Sequence, residues 1–287
     1  MIAGGAEVRF TADDGVDLFV RHFRAHTALA ERNLVIIHGA SEHGGRYGHV
    51  ARAAAARGWN VLTPDLRGHG QSGGVPVHVN KFGRYLDDLD QLWGHFQLDP
   101  LRTALLAHSM GGLVAIRYVQ TRPPRVQALV LSSPLLGLLV KVPLLTRVLG
   151  RVLYFVAPRT RFQSLVDPAD TTRDPELLEQ RLADPLIHRS LTASWFFEMQ
   201  SALRKAHRAA KDLTLPLLVM QAGVERVVDP LASQQWTEAV SSSDKTFQLF
   251  PEHLHEVLNE PDRQETIAGM LDWLETRIPA PQARASG

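Results

Sequence analysis

One serine, placed where a strand pattern gives way to a helical one, constrains the fold of this chain most. The apolar run 103–107 predicts a short buried strand, and residues 111–120 carry small and apolar side chains at helical spacing. Ser109 lies between them, in Ala107-His108-Ser109-Met110-Gly111. A strand that turns this sharply into a helix needs small residues around the turn, because larger side chains would meet the backbone. The pattern is typical of a nucleophile elbow, although an ordinary glycine turn after a strand would also fit it.

Two further loops follow predicted strands. An apolar strand at 33–37 runs into the glycine-rich loop 38–47, and a strand at 59–64 opens into Asp65-Leu66-Arg67-Gly68-His69-Gly70-Gln71-Ser72. Together with the serine turn, these segments resemble the α/β-hydrolase superfamily and, within it, the monoglyceride lipase and lysophospholipase group. The resemblance covers nearly the whole chain in the right order. It implies the α/β-hydrolase fold and the hydrolysis of monoacylglycerol or related esters.

Strand and helix patterns alternate along most of the chain. This alternation predicts a mostly parallel sheet with helices on both faces. Residues 135–213 interrupt it with helical stretches, several prolines and no convincing strand, and strands return at 215–221 and 246–250. We therefore predict an α/β core at 1–133 and 214–278, an inserted helical cap at 134–213 and a flexible tail at 279–287.

The groups that would activate Ser109 are expected after the returning strands, because the superfamily order is serine, acid, histidine. His255 is the predicted base: it would take the serine proton while a carboxylate fixes its tautomer. His253 is the nearest rival, but it falls where the family usually has a small residue. A solvated loop histidine is the alternative reading for either one.

Two carboxylates follow the strand at 215–221. The family's acid resembles a Gly-x-Asp-x-x-Val-Asp-Pro arrangement, and laying this over residues 223–230 places Glu225 on the catalytic position. Asp229 then falls on the family's second, noncatalytic acid. Asp229 followed by Pro230, ahead of a helical pattern, is also typical of a helix N-cap. We predict Glu225 as the triad acid, with Asp229 as the alternative.

The oxyanion hole is predicted from backbone rather than from side chains. The amide of Met110 follows the nucleophile, and the amide of Ala40 lies in the loop after the early strand. His108, His38 and His69 are expected to pack or to tie backbone groups together rather than to transfer protons.

The proposed cap carries an amphipathic segment. Residues 135–156 are dense in leucine and valine, with basic residues among them. Such a surface could line an acyl-chain tunnel or contact a lipid surface, and a lid helix packed on the core would give the same pattern. Leu138, Leu139 and Leu145 are the candidate substrate contacts. The resemblance favours a medium or long acyl ester with a small polar head as the substrate.

Composition excludes several other classes. The 287 residues contain no cysteine, which excludes disulfides and thiolate metal sites, and the 13 histidines show no ligand spacing. We predict that the protein needs no cofactor and binds no metal. A net charge of +1 gives no reason to expect nucleic acid as a partner. No signal peptide and no run of about 20 apolar residues is apparent. We expect a cytoplasmic protein that could contact membranes peripherally.

These patterns predict a serine carboxylic ester hydrolase that works through an acyl-enzyme. A lysophospholipase, a small-molecule esterase or an acyltransferase is the alternative within the fold. From a different class, a catalytically silent hydrolase-like binding protein is the alternative, because Ala107 and Glu225 both depart from the usual pattern. Dehalogenases and epoxide hydrolases are disfavoured, since those relatives carry aspartate at the elbow.

Overall fold

A computed structural model describes residues 5–26, 32–122, 126–140 and 142–280 of the chain. The strands in these ranges are β1 (Ala6–Thr11), β2 (Asp17–Phe23), β3 (Arg32–Ile37), β4 (Trp59–Asp65), β5 (Thr103–His108), β6 (Ala128–Ser132), β7 (Arg161–Gln163), β8 (Ser190–Thr192), β9 (Leu217–Ala222) and β10 (Lys245–Phe250). The α-helices are α1 (Gly48–Ala56), α2 (Gly83–Phe96), α3 (Met110–Thr121), α4 (Leu144–Val156), α5 (Pro175–Ala183), α6 (Ala193–Arg208), α7 (Pro230–Ala239) and α8 (Arg263–Glu275). From residue 281 onward, the predicted tail at 279–287 lies outside the described residues.

In the described part of the chain, eight strands form one sheet in the order β1-β2-β4-β3-β5-β6-β9-β10. The pairs β1–β2 and β2–β4 are antiparallel, and every pair from β4 across to β10 is parallel. All residues of β5, β6 and β9 are buried, as parallel strands covered on both faces must be. The predicted α/β fold with a mostly parallel sheet is confirmed.

Each face of the sheet has its own apolar core. Successive residues of β3 point to opposite faces: Val35 and Ile37 pack with α2 and α3, whereas Leu34 and Ile36 pack with α1 and α8. The continuous apolar run at 33–37 therefore serves two cores. This explains why β3 shows no alternation in its sequence.

The chain reverses its direction of travel across the sheet beside β3. β4 pairs with one edge of β3 and β5 pairs with the other, so the carboxyl ends of β3 and β5 diverge into two loops. Open α/β sheets bind ligands in the crevice at such a switch point. Ser109 follows β5 and His38 follows β3, so the topology brings the two glycine-rich segments together here.

Between β6 and β9 the chain leaves the sheet. This insertion carries α4, α5 and α6, and α6 buries Trp195 and Met199 in the same core as α3. The prediction of no strand in 135–213 is wrong, because β7 and β8 form a short antiparallel pair. Three-residue strands are too short to show a periodicity in sequence. The limits of the cap at 134–213 remain a prediction.

The helices of the described residues are short relative to a bilayer. None of them is both long enough and apolar enough to span a membrane.

Candidate active site

Ser109 holds the strained backbone expected of a sharp strand-to-helix turn. Its φ is 51° and its ψ is −117°, which is costly for a residue with a β carbon. A β carbon on Gly111 would lie 2.4 Å from the backbone oxygens of Ile37 and His38. Glycine is therefore required at this position, because it lets α3 pass directly against the end of β3.

A hydrogen-bonded chain links the serine to an imidazole and a carboxylate. His255 Nε2 lies 3.0 Å from Ser109 Oγ, and His255 Nδ1 lies 2.8 Å from Glu225 Oε2. A carboxylate can only accept here, so the hydrogen of the ring resides on Nδ1 and Nε2 is free to accept the serine proton. The structure thus brings together the three residues proposed from the sequence.

Glu225 is buried and held as an anion. Its Oε1 accepts hydrogen bonds from the backbone amides of Arg226, at 3.2 Å, and Val227, at 3.0 Å. Burial alone would raise the pKa of Glu225, but the adjacent His255 ring and the loop amides outweigh it and lower the pKa below its usual value. The carboxylate therefore remains charged where it can stabilise an imidazolium.

The rival acid and the rival base have other partners. Asp229 Oδ1 accepts from two amides in the first turn of α7, at 3.0 and 3.4 Å, so the predicted helix cap is present. His253 Nε2 lies 2.9 Å from Asp262 Oδ2, and its ring stacks on Phe250. Both residues already have structural roles away from Ser109.

The loop after β3 lies against the serine. A β carbon built on Gly39 would lie 3.3 Å from Ser109 Cβ, and Ser41 adopts a positive φ of 64°. Ala40 stands between these two residues. Met110 is the first residue of α3, so its amide has no carbonyl partner within the helix. The two predicted oxyanion donors thus belong to the two segments that flank Ser109.

A buried ionic chain connects this loop to the insertion. Glu42 Oε1 accepts from the Gly39 amide at 2.6 Å, and the other oxygen of Glu42 is paired with Arg46. Arg46 also donates two hydrogen bonds to Glu256, at 2.7 and 2.8 Å. Arg181 of α5 donates to the same Glu256 at 2.8 Å. We call Glu42, Arg46, Glu256 and Arg181 the bridging network.

The arginines of the bridging network keep its buried acids ionised. Burial would raise the pKa of Glu42 and of Glu256, but Arg46 outweighs it and lowers both. Glu256 follows His255 directly, and Glu42 holds the amide next to Ala40. Sequence reasoning missed this network. The i, i+4 spacing of Glu42 and Arg46 could have indicated one pair, but not the partners about 210 residues away.

Three further histidines near the site are buried and bonded to backbone. His108 Nδ1 lies 3.0 Å from the oxygen of Ser132, and burial together with the nearby His255 lowers the pKa of His108 to about 4. His38 bonds to the oxygen of Gly39 through Nδ1 and accepts from a backbone amide through Nε2. Burial lowers the pKa of His69 to about 3. All three are neutral at pH 7, in agreement with the structural roles predicted for them.

The candidate substrate contacts lie in two different places. Leu138 forms an isolated antiparallel bridge with Val228, and the Leu139 amide donates to the oxygen of Val227 at 3.1 Å. These two leucines therefore border the loop that carries Glu225. Leu145 is on α4 and is 80% exposed, away from any core.

Within the described ranges, no three or more histidine, cysteine, aspartate or glutamate side chains are arranged to hold a metal ion. The carboxylates nearest to Ser109 are committed to His255 and to arginines. The site as built is therefore suited to acyl transfer by a serine, a histidine and backbone donors.

Comparison with known proteins gives a consistent assignment. Residues 29–262 match the family model described as serine aminopeptidase, S33. The chain is 35% identical to the phospholipase YtpA of Bacillus subtilis over 82% of this chain and 91% of that protein. It is 32% identical to the monoacylglycerol lipase of Mycolicibacterium smegmatis over 85% and 88%.

The fold is similar to that of a solved monoacylglycerol lipase. The crystal structure of the Paleococcus ferrophilus monoacylglycerol lipase superposes with a TM-score of 0.83 and 27% identity, covering 91% of this chain and 99% of that one. The chain is therefore a serine hydrolase of the monoglyceride lipase and esterase type, and it belongs to the α/β-hydrolase family described as serine aminopeptidase, S33.

Proposed function

We propose that this protein hydrolyses monoacylglycerols, with Ser109 as the nucleophile, His255 as the base and Glu225 as the acid. The observation that carries the proposal is the unbroken hydrogen-bonded chain from Ser109 through His255 to the ionised Glu225. The monoacylglycerol lipases among the relatives support the substrate class. The expectation of a cytoplasmic enzyme that reaches lipid peripherally goes with this proposal.

The geometry supports a two-step reaction. Ser109 Oγ attacks the ester carbonyl as His255 Nε2 takes its proton, and the amides of Ala40 and Met110 stabilise the resulting oxyanion. His255 then gives that proton to the leaving glycerol oxygen, which leaves an acyl group on Ser109. In the second step His255 takes a proton from water as the water oxygen attacks the acyl carbonyl. The bond between that carbonyl and Ser109 Oγ then breaks, His255 returns the proton to Ser109 Oγ, and the fatty acid leaves. Glu225 stabilises the imidazolium in both steps.

The insertion offers a surface for the lipid part of the substrate. Gly150 is the one buried residue of α4 in the described chain, and most of the large apolar side chains of this helix are exposed. These are Leu144, Leu145, Val148, Leu149, Val152, Phe155 and Val156. A contiguous apolar face of this kind indicates contact with lipid or with a partner, and Arg151 beside it would favour an anionic interface. We propose that α4 rests on lipid aggregates that contain the substrate.

A lysophospholipase is the second candidate. The 35% identical phospholipase of B. subtilis favours it, and a lysophospholipid presents the same acyl ester as a monoacylglycerol with a charged head. The catalytic steps would be unchanged. The two candidates differ only in the group that leaves with the proton from His255.

Ser109→Ala tests the nucleophile. We expect hydrolysis of 1-monooleoylglycerol to fall by about a thousandfold or more, with an unchanged melting temperature, because the side chain acts in chemistry and not in packing. Wild type should react with a fluorophosphonate probe and the variant should not. As a matched pair, His255→Asn should lose activity and His253→Asn should keep it. An active Ser109→Ala enzyme would place the nucleophile elsewhere.

A substrate panel tests the class. Wild type is compared on 1-monooleoylglycerol, 1-oleoyl-lysophosphatidylcholine and an aminoacyl p-nitroanilide, the last because of the aminopeptidase in the family description. We expect the highest kcat/KM on the monoacylglycerol. A preference for the lysophospholipid would favour the second candidate, and a preference for the anilide would contradict both.

Leu145→Ser combined with Phe155→Ser tests the lipid surface. We expect the double variant to lose activity on long-chain monoacylglycerol above its solubility limit while it keeps its rate on soluble p-nitrophenyl acetate. Leu101→Ser is the control, because Leu101 is 74% exposed but lies outside the insertion. Equal losses on both substrates would indicate that α4 only holds the insertion together.

A further inference from the structure

A cavity outside the triad lies between the sheet loops and the insertion. It has a volume of about 550 Å³ and is lined from the β1–β2 turn, from residues 67–84 and from Arg159, just before β7. Its lining shares no residue with the triad, the oxyanion loop or the bridging network. The insertion is held on this side by Arg161, which donates to the oxygen of Pro76 at 2.8 Å, and by the Thr192 amide, which donates to Val77. The cavity therefore lies at the junction of the sheet loops and the insertion, apart from the catalytic residues.

Most of the charged side chains in its lining are basic. Arg67, Lys81, Arg84 and Arg159 all face it, and of its lining residues in the described chain only Asp14 carries a carboxylate. Asp14 is paired with Arg67 at 2.7 Å, which lowers the pKa of Asp14 and keeps it ionised. The lining as a whole therefore carries an excess of positive charge.

The four cations are not equally available. Arg67 lies between Asp14 and Asp88, which bind its guanidinium from two sides. Arg84 lies 3.5 to 3.8 Å from Asp13, Asp14 and Asp87, so part of its charge is also compensated.

Lys81 and Arg159 are exposed, and no carboxylate in the described part of the chain lies within ion-pair distance of either. These two are the cations that a ligand could meet directly.

Neutral groups complete the lining. His78 Nε2 lies 2.9 Å from Asn80 Oδ1, and burial with the nearby Arg159 lowers the pKa of His78. The neutral ring donates to the Asn80 oxygen, which leaves the Asn80 NH₂ as a donor beside the cavity. Gly68 has a φ of 70°, and a β carbon there would lie 2.4 Å from the oxygen of Val75. The loop that forms this wall is therefore folded tightly.

We propose that this cavity binds the phosphate group of an anionic ligand. Lys81, Arg159 and Asn80 bring several hydrogen-bond donors to the cavity lining, and a phosphate presents several acceptor oxygens with more charge than a carboxylate. The volume exceeds what a bare phosphate needs and suits a phosphate with an organic substituent. Val16, Val75 and other apolar lining atoms would contact that substituent.

Two sources could supply this phosphate: a phospholipid headgroup or a free phosphate ester. The position of the cavity favours the headgroup. Tyr154 of α4 donates to Glu198 at 2.8 Å, and the same carboxylate accepts from the Phe82 amide at 2.9 Å, next to Lys81. The exposed end of α4 at Val156 is also three residues from Arg159. The cavity thus lies beside the surface proposed to rest on lipid.

The double variant Lys81→Gln with Arg159→Gln tests this site in the full chain. Both residues are exposed, so the melting temperature and the rate on p-nitrophenyl acetate should not change. Arg208→Gln with Lys211→Gln removes the same charge from another exposed segment and is the matched control. One arm measures sedimentation with phosphatidylglycerol vesicles and with phosphatidylcholine vesicles at 0.1 M salt. The other measures thermal stabilisation by glycerol 3-phosphate.

If the phosphate belongs to a lipid, the cavity variant should bind phosphatidylglycerol vesicles about fivefold more weakly for each cation removed, and it should bind phosphatidylcholine as wild type does. If it belongs to a soluble ester, glycerol 3-phosphate should stabilise wild type and the control but not the cavity variant. Either result supports the site. A cavity variant that behaves like the control in both arms would overturn it.

The vesicle experiment depends on the lipid contact of α4, which is part of the proposed function. The phosphate site and the lipid contact of α4 can nevertheless fail separately. The Leu145 and Phe155 double variant should lose binding to both kinds of vesicle. The cavity variant should lose only the preference for phosphatidylglycerol. The cavity variant could lose that preference while the α4 variant binds vesicles as wild type does. This result would support the phosphate site and contradict the lipid contact of α4.

Discussion

Glu225 shows how the length of a side chain is matched by the loop that carries it. Glutamate is one methylene longer than the aspartate common at this position, yet one carboxylate oxygen still reaches His255 at 2.8 Å. The other oxygen accepts from the amides of Arg226 and Val227 in the same loop. Because both oxygens are fixed, the longer side chain loses little precision, and the imidazole is held in one tautomer.

This leads to a paired prediction for the two acids of the loop. Glu225→Gln should cut kcat by orders of magnitude with little change in stability, because the amide cannot stabilise the imidazolium. Asp229→Asn should leave kcat near wild type and lower the free energy of unfolding by about 1 kcal/mol or less, since it weakens a helix cap. Steady-state kinetics and urea unfolding of both variants decide the assignment. The opposite pattern would make Asp229 the acid.

At the scale of elements, the bridging network joins three parts that must keep their relative positions. Arg181 comes from α5 of the insertion, Glu256 from the loop of His255, and Glu42 from the oxyanion loop. Arg46 contacts both acids, and its side chain is only 9% exposed. A shift of α5 would therefore disturb the base and the oxyanion hole together. The network couples the insertion to the chemistry through ion pairs rather than through apolar packing.

Glu42→Gln should test this coupling. It leaves the largely buried Arg46 with one acid instead of two, which should lower the free energy of unfolding by about 3 kcal/mol or more. It also loosens the loop of Ala40. We expect kcat to fall more than the affinity for substrate, since the oxyanion donors act mainly in the transition state.

Asp272→Asn is the control for Glu42→Gln. It breaks an ion pair with Arg57, but Asp272 is 67% exposed, so the cost should be below about 1 kcal/mol. A Glu42→Gln enzyme with normal kcat would show that the network is only structural.

At the scale of the whole molecule, buried neutral histidines and buried ionised acids both lower the stability of the fold as the pH falls. Burial lowers the pKa values of His38, His69 and His108. Below about pH 6.5 the unfolded chain therefore binds more protons at these histidines than the folded chain does. The pKa values of Glu42 and Glu256 are lowered by arginine, so the unfolded state again binds more protons below about 4.5. Both effects destabilise the fold as the pH falls.

We therefore expect the free energy of unfolding to decrease steadily from pH 7 to pH 4. Each histidine that stays neutral in the folded state should contribute up to about 2 kcal/mol of this loss by pH 5. His69→Gln should flatten the dependence between pH 6.5 and 4, whatever its effect on stability at pH 7, because one titrating group is gone. Urea unfolding across this range measures both slopes. An unchanged slope in the variant would mean that His69 becomes protonated in the folded state.

Local patterns in the sequence predicted most of the helices and strands, the turn at Ser109 and the cap at Asp229. Each of these depends on residues only a few positions apart, through strand and helix periodicity, glycine at a crowded turn and an aspartate before a proline. The pairing of His255 with Glu225 and Ser109 was expected only through the family resemblance. Nothing within the sequence itself specifies a contact between residues 146 positions apart.

Tertiary structure alone decided the rest. The β7–β8 pair, the bridging network and the basic cavity each join segments that are distant in sequence, and their partners are set by how the insertion lies on the sheet. Short strands give no periodicity, and a buried ion pair leaves no mark on the residues between its members. The sequence by itself determined most of the helices and strands and the turn that carries the nucleophile. Long-range packing decided which charges meet, because burial and proximity depend on the assembled fold.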